Sequence, residues 1–429
     1  DHHLVRGGDA GGRRSVVGVK LGWRGLLPEA PSALLEILDD DQGALEPPIR
    51  SEIFGPQRFA EHGRSLAATH AAARAPWRAG TFFPRLRSNI RTLRVAHHYI
   101  GTHAATGYDV SPAAEWLLDN FHLIEAQLKE IHEGLPRSYF RTLPVLQGEP
   151  LAGLPRVYGV AWAFVAHTDG AFEEDLLVQF LCAYVSVREL NLSEMWALPT
   201  TLRVVLIENL RRLAERVAVH KAAREVANLC CDRLHAWSLP MLDEVLFRLR
   251  RRGAGAEFLA QVAQRLQDGV TEPEPALAAW LATALPDPAA ARTQHSANQT
   301  ADNLSVSNAV TSLRAIGDAD WPDIVARTST LMRLMLTAPV FEAEQAGTRD
   351  QTLHGIERLA LRSGRSEREV GQALLDLMHA SGETGSSHAV ASHWLQGAGR
   401  PALAHALGLD DRAAWVAAGW ARRLAWPAY

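Results

Sequence analysis

From Gln57 onward, apolar residues recur at spacings of three and four, and short Gly, Pro, Ser and Asp clusters separate the runs. That spacing is the period of an amphipathic helix. Strand-type alternation between tight hairpin dipeptides is nearly absent, so the pattern predicts an all-α fold, a multi-helix bundle or a helical array of antiparallel helix pairs. The clearest helix opens at Ser111 and Pro112, a hydroxyl cap followed by Pro at the first helical position. It places Trp116, Phe121, Ile124, Leu128 and Ile131 on one stripe, and Gly134 and Pro136 end it. A longer pattern from Ser193 stacks Met195, Leu202, Leu206, Leu213 and Val217 on one face and sets Glu208, Arg211, Arg212 and Glu215 largely on another. Pro199 is expected to kink its first turns. Further helices are predicted over 240–251, 256–267, 275–284, 292–316, 322–336, 348–362, 366–380 and 412–424.

This punctuation suggests a linear organisation. Residues 1–47, with Gly7-Gly8, Gly11-Gly12 and an Asp39-Asp40-Asp41 run, read as a mobile leader. A first helical domain is expected over 48–235 and a second over 236–380. A Gly/Ser-rich linker then leads into C-terminal helices over 381–429. No fixed-period repeat is visible.

Composition narrows the function classes. Of 429 residues, 47% are hydrophobic and 21% charged, the range of ordinary globular chains able to bury a core. Forty-four basic residues face 48 acidic ones, a balance that argues against nucleic acid as a partner. Cys182, Cys230 and Cys231 offer neither a disulfide framework nor zinc-site spacing, which fits a reducing compartment. The longest apolar runs, 157–166 and 176–187, fall short of the ~20 residues a membrane helix needs, so the segment is expected to be soluble. The chain starts at Asp1 with no secretory leader pattern and reads as a piece of a longer polypeptide.

Catalytic signatures are sparse. The D-x-D candidates, Asp39-Asp40-Asp41 and Asp318-Ala319-Asp320, fall in the leader and at a helix start, where solvation or capping accounts for them. Gly253-Ala254-Gly255 lacks the rest of a phosphate loop, and no zinc helix or nucleophile elbow occurs. Catalytic and metal residues are therefore assigned as none. Glu115, Asp119 and His122 share a face at i, i+4 and i+7, a spacing open to acid–base work but equally normal for a solvated or Arg-facing helix side. Trp116 lies on the same helix. Around Arg156, Tyr158, Trp162, His167 and Asp169, and again at Glu194 and Trp196, aromatic rings sit beside polar groups. Such rings can stack on sugars, although Trp and Tyr at helical spacing more often fill a core. These eleven residues are the candidate sugar or interface contacts.

Several strings carry a resemblance. They include S-P-A-A-E-W-L-L-D-N-F-H-L-I-E at 111–125, L-P-R-V-Y-G-V-A-W-A-F-V-A-H-T-D at 154–169 and E-M-W-A-L-P-T-T-L-R-V-V-L-I-E-N-L-R-R-L-A at 194–214. Shorter echoes occur at 48–54, 135–140, 303–308, 311–314, 320–321, 362–367 and 399–401. The chain resembles the cytosolic N-terminal region of bacterial cyclic β-1,2-glucan synthases. Those enzymes are large inner-membrane glycosyltransferases with a phosphorylase-like part, and they build periplasmic cyclic glucans from UDP-glucose with a divalent cation. None of their transferase or phosphorylase motifs falls within this sequence. The resemblance therefore implies a non-catalytic scaffold without a cofactor of its own, lying at the cytoplasmic face of the inner membrane. Its expected partners are the downstream transferase and membrane domains of the same polypeptide, with β-1,2-glucan as a further candidate. A glucan-binding module and a degenerate helical glycosidase using Glu115, Asp119 or Glu194 are the alternatives.

Overall fold

A computed structural model describes residues 22–39, 43–74, 81–104, 111–134, 136–140, 143–148, 150–268, 274–380 and 387–409. Two short helices come first, α1 (Trp23–Leu26) and α2 (Ser32–Ile37). Then follow α3 (Pro56–Thr69), strand β1 (Ala72–Arg74), α4 (Phe82–Ala104), α5 (Pro112–Asp119), α6 (Phe121–Gly134), α7 (Arg137–Phe140) and strand β2 (Pro144–Leu146). Next are α8 (Arg156–His167), α9 (Glu174–Val185), α10 (Leu192–Asp232), α11 (Leu239–Arg252), α12 (Gly255–Asp268), α13 (Pro275–Ala284) and α14 (Pro288–Asp318). The described chain ends with α15 (Trp321–Thr328), α16 (Thr330–Met335), α17 (Pro339–Ala343), α18 (Ala346–Ser363), α19 (Glu367–Ala380), α20 (Ala391–Leu395) and α21 (Arg400–Ala406). The fold is all-α, as the period predicts.

Two compact units form, each discontinuous in sequence. The first takes residues up to Leu45 and Arg216–Ser296, and the second takes Glu46–Glu215 and the residues from Ala297 onward. The chain passes between them inside α10 and α14, so the units do not follow the linear partition at 47, 235 and 380. Part of the stretch read as a leader is helical: Trp23 and Leu26 of α1 and Leu34 and Ile37 of α2 are buried. The remainder, 1–21 and 40–42, lies outside the described residues, as do 381–386 of the expected linker and the helix expected over 412–424.

In the first unit, α11 packs against α12, and α12 against α13. Leu242, Val245, Leu246 and Leu249 of α11 and Phe258, Leu259 and Val262 of α12 are buried at helical spacing. Gly253 ends α11 at φ 89°, a left-handed cap that costs little without a Cβ.

In the second unit, α8, α9 and the first part of α10 form the core. Tyr158, Phe164, Phe180, Tyr184, Leu202 and Leu206 are all at most 2% exposed. Phe59 of α3 stacks on Phe180 with ring centroids 4.6 Å apart. Strand β1 pairs antiparallel with β2, Ala73 opposite Val145, a two-stranded element the period did not signal. It runs close over α8 at Gly159, where a Cβ would lie 2.8 Å from Leu146 Cδ1 and 3.1 Å from His70 Cε1.

Two predicted helices are divided. The helix expected from Ser111 breaks at Asn120, whose side-chain amide donates to the Trp116 carbonyl. Trp116 consequently leaves the buried stripe, which α5 forms from Ala113, Ala114 and Leu117. The helix expected over 322–336 splits at Ser329, whose hydroxyl accepts from Met332 N and restarts the turn as α16.

Candidate functional site

The densest polar assembly is built on α10, inside the second unit. The sequence E-N-L-R-R-L-A-E sets Glu208, Arg211, Arg212 and Glu215 at i, i+3, i+4 and i+7, one side of the helix. That side is buried: Glu208 is 0% exposed, and the other three are at most 8% exposed. Glu208 accepts from Arg85 Nε at 2.9 Å and Nη2 at 2.5 Å, from Asn89 at 3.0 Å, from the Tyr158 hydroxyl at 2.7 Å and from Arg212 at 2.8 Å. Arg211 extends the assembly to Asn89, Glu215 and Glu46. Arg212 donates to the Pro47 carbonyl and lays its guanidinium 5.0 Å from the Trp162 ring centroid. Among the described residues, Arg212 Nε and Asn209 Nδ2 have no hydrogen-bond partner.

Burial opposes ionisation of Glu208, but the hydrogen bonds and charge of Arg85, the Tyr158 hydroxyl and the Arg212 charge outweigh it. They hold its carboxyl down at about 2. The Tyr158 phenol is pushed far above its ordinary range by burial and by the Glu208 charge. A carboxylate so held has neither a proton to give nor a free lone pair with which to take one.

A second assembly joins α8 to the start of α10. Arg156 donates to Glu194 from Nε at 2.9 Å and Nη2 at 2.5 Å, and to the Glu189 carbonyl at 3.0 Å. Asn191 N also donates to Glu194, which is 0% exposed. Nearby, Glu367 of α19 accepts from Leu192 N at 2.7 Å, and Tyr139 donates to the Ser193 carbonyl. Burial raises the Glu367 carboxyl to about 7; the Leu192 amide works against this, and the charges of Glu357, Glu194 and Glu189 reinforce it. His70, bonded to the Tyr184 hydroxyl at 2.9 Å, is lowered to about 4 by burial and by the charges of Arg156 and Arg188.

The sequence-predicted residues therefore separate into two sets. Arg156 meets Glu194, and Tyr158 and Trp162 join the Glu208 assembly. Asp169 forms the turn after α8 at φ 50°, accepting from Ser305 Oγ at 2.5 Å, while its carbonyl takes Asn308 at 3.2 Å. His167 bonds the Glu52 carbonyl and stacks on Phe54. Glu115, Trp116, Asp119, His122 and Trp196 are exposed instead, and the turn at Asn120 separates the first three from His122. Of the D-x-D candidates, Asp320 caps α15 by accepting from Asp323 N, and Asp40 and Asp41 lie outside the described residues.

Sequence reasoning missed Glu208, Arg211, Arg212, Arg85 and Asn89. One signal was available. Val204, Val205, Leu206, Ile207, Leu210 and Leu213 are apolar around the whole helix circumference, which leaves no water-facing side for the charges between them. Among the described residues no group of three or more His, Cys, Asp or Glu could hold a metal ion. No helix among them is long and apolar enough to cross a membrane.

Fold and site together define a helical module whose interior is tied by ion pairs between helices. No family model matches the chain. It is related to a region of the cyclic beta-(1,2)-glucan synthase NdvB of Rhizobium meliloti (strain 1021), with 31% identity over 335 residues. The match takes in 77% of this chain and 12% of the relative, so the chain spans a small part of that enzyme's length.

Proposed function

We propose that this chain is a non-catalytic helical scaffold segment of a cyclic β-1,2-glucan synthase. It acts by docking on, and stabilising, the parts of the polypeptide that transfer glucose from UDP-glucose at the inner membrane. One observation carries the reading: Glu194 and Glu208, acidic groups central to the second unit, are each 0% exposed and held by arginine. Carboxylates for glycoside chemistry must face a cleft across which a sugar fits. The test is to incubate the purified chain with UDP-glucose and Mg²⁺ or Mn²⁺ and to measure UDP release. No turnover is expected, and deletion of the segment from the full synthase should lower the level of assembled enzyme. Turnover by the isolated chain would overturn the proposal.

A second reading, a glucan-binding module, draws support from Trp116 and Trp196, which are 38% and 40% exposed and offer ring faces to sugar C–H edges. Calorimetry with millimolar β-1,2-glucan separates the two. Saturable heat that Trp196→Ala abolishes would favour the module, and flat titrations would leave the scaffold.

A further inference from the structure

Helix α4 carries no acidic residue, and none occurs anywhere between Glu61 and Asp109. Its inner side is spent on the core of the second unit: Leu86, Leu93 and Ala96 are buried, and Arg85 and Asn89 reach Glu208. Its outer side sets Arg87, Arg91, Arg94 and His98 at i, i+4, i+7 and i+11, an exposed basic stripe roughly 16 Å long. Arg94 is paired with Glu125 of α6. Arg87 and Arg91 form no ion pair or side-chain hydrogen bond among the described residues. Like charges one turn apart repel, so the chain alone gains nothing from this arrangement.

The complement of this stripe lies on the neighbouring helix, α5, which packs against α4. Leu118 of α5 faces Gly101 of α4, where a Cβ would lie 3.4 Å from Leu118 Cδ2. Further round α5, Glu115 and Asp119 are exposed at i and i+4, again with no ion pair or side-chain hydrogen bond among the described residues. The two acids and the two free arginines thus share one spacing, about 6 Å along their helices. Trp116, 38% exposed, stands beside the acids as an apolar anchor of the kind that centres protein interfaces. A polyanion such as a lipid surface or a nucleic acid would be drawn to the stripe and repelled by the adjoining acids. A face that carries both signs at equal spacing fits a copy of itself, because a two-fold rotation lays each sign on its opposite.

We propose that two copies of this chain pair about a two-fold axis, with Arg87 and Arg91 of each copy set against Glu115 and Asp119 of the other. Exposed ion pairs contribute little each, so the dimer is weak, and its choice of partner comes from the arrangement of signs. The inference goes beyond the scaffold reading, which rests on turnover and not on pairing. The test is sedimentation velocity on the full chain over a range of concentrations at low and high salt. A reversible monomer–dimer equilibrium is expected, with a dissociation constant that rises about tenfold or more at high salt. A chain with Arg87→Glu and Arg91→Glu, and a chain with Glu115→Arg and Asp119→Arg, should each remain monomeric, because both facing patches then carry one sign. Mixed in equal amounts, the two should form a heterodimer, because the exchange brings opposite signs together at both contacts. All four side chains are exposed, so dilute samples of each variant should keep the helical circular dichroism of the unsubstituted chain. A monomer at every concentration, a dimer that either variant leaves intact, or a mixture that stays monomeric would each overturn the proposal. So would a monomeric chain that binds phosphatidylglycerol vesicles through Arg87 and Arg91, which would assign the stripe to a lipid surface.

Discussion

Glu208 and Glu257 both lie on helices among basic side chains, but Glu208 is sealed and Glu257 borders a cleft. Glu208 takes hydrogen bonds from Arg85, Asn89, Tyr158 and Arg212 at 2.5 to 3.0 Å, which uses up the roughly four lone-pair directions of a carboxylate. Glu257 meets two imidazoles at 3.4 and 3.7 Å, longer than good hydrogen bonds, and keeps its side chain 10% exposed. The sealed carboxylate can only hold helices together. The open one holds its imidazoles loosely and borders a cleft that solvent can enter.

The largest effect should follow from breaking the sealed centre. Glu208→Ala removes the counter-charge that Arg85 and Arg212 share and leaves Arg212 to Glu46, 3.1 Å away. Removing one partner of a buried pair costs about 3 to 5 kcal/mol. Urea denaturation of the variant is the measurement. A loss under about 1 kcal/mol would mean that water reaches this centre, and the contrast with Glu257 would collapse.

Next in size come two groups of the Arg156 region with opposite signs. Glu367 sits at about 7 in the fold, above its ordinary 4.5, so the folded chain keeps a proton that the unfolded chain releases. Its contribution to stability is present below about 4.5 and lost as pH rises through 7, on the order of 3 kcal/mol. His70 sits at about 4, below its ordinary 6.5, so its contribution is present above 6.5 and lost as pH falls through 4. Between pH 4.5 and 6.5 the two slopes oppose each other, and the native chain should show a nearly flat stability profile. Glu367→Gln keeps an acceptor for Leu192 N and should expose a profile that rises with pH; His70→Gln should expose one that falls. Denaturation midpoints at pH 4.5, 5.5, 6.5 and 7.5 would show this, and identical profiles for both variants would refute it.

How far the sequence reaches can be judged on these same residues. The helices over 239–284 and 346–380 are legible because each couples an apolar stripe to a local stop signal, such as Gly253 or Gly364 in the left-handed region. The break at Asn120 was not, because it turns on a side-chain amide reaching its own helix's carbonyl, and apolar spacing does not register that. The pairing of β1 with β2 joins three-residue strands some seventy positions apart, too short for alternation to emerge. For the site, the aromatic and polar residues the sequence singles out fall into two assemblies: Arg156 pairs with Glu194, and Tyr158 and Trp162 lie against Glu208 and Arg212. Arg85, the partner of Glu208, is invisible in the sequence, since a charged helix face says nothing about which distant helix covers it.

A smaller effect is expected at the open carboxylate. Glu257→Gln removes the charge shared by His220 and His295 but leaves an amide able to accept, and solvent is close at hand. The cost should be about 1 kcal/mol. A loss matching that of Glu208→Ala would show the cleft to be as closed as the core.

The smallest effects belong to carboxylates with no cover. Glu115 and Asp119 are exposed on the same short helix, four residues apart, where like charges repel weakly. Their positions along the axis differ in sign. Glu115 lies in the first turn of α5, where a negative charge is favoured by the helix dipole, and Asp119 lies at the last residue, where it is disfavoured. Glu115→Gln should therefore cost, and Asp119→Asn should gain, about 0.3 to 0.5 kcal/mol, and the double variant should come out near neutral. Thermal melts at low and high salt read both signs, because salt screens exposed charges and should shrink both effects together. Salt-independent losses above about 1 kcal/mol at either position would place these carboxylates against a buried partner, in the company of Glu208 rather than on open surface.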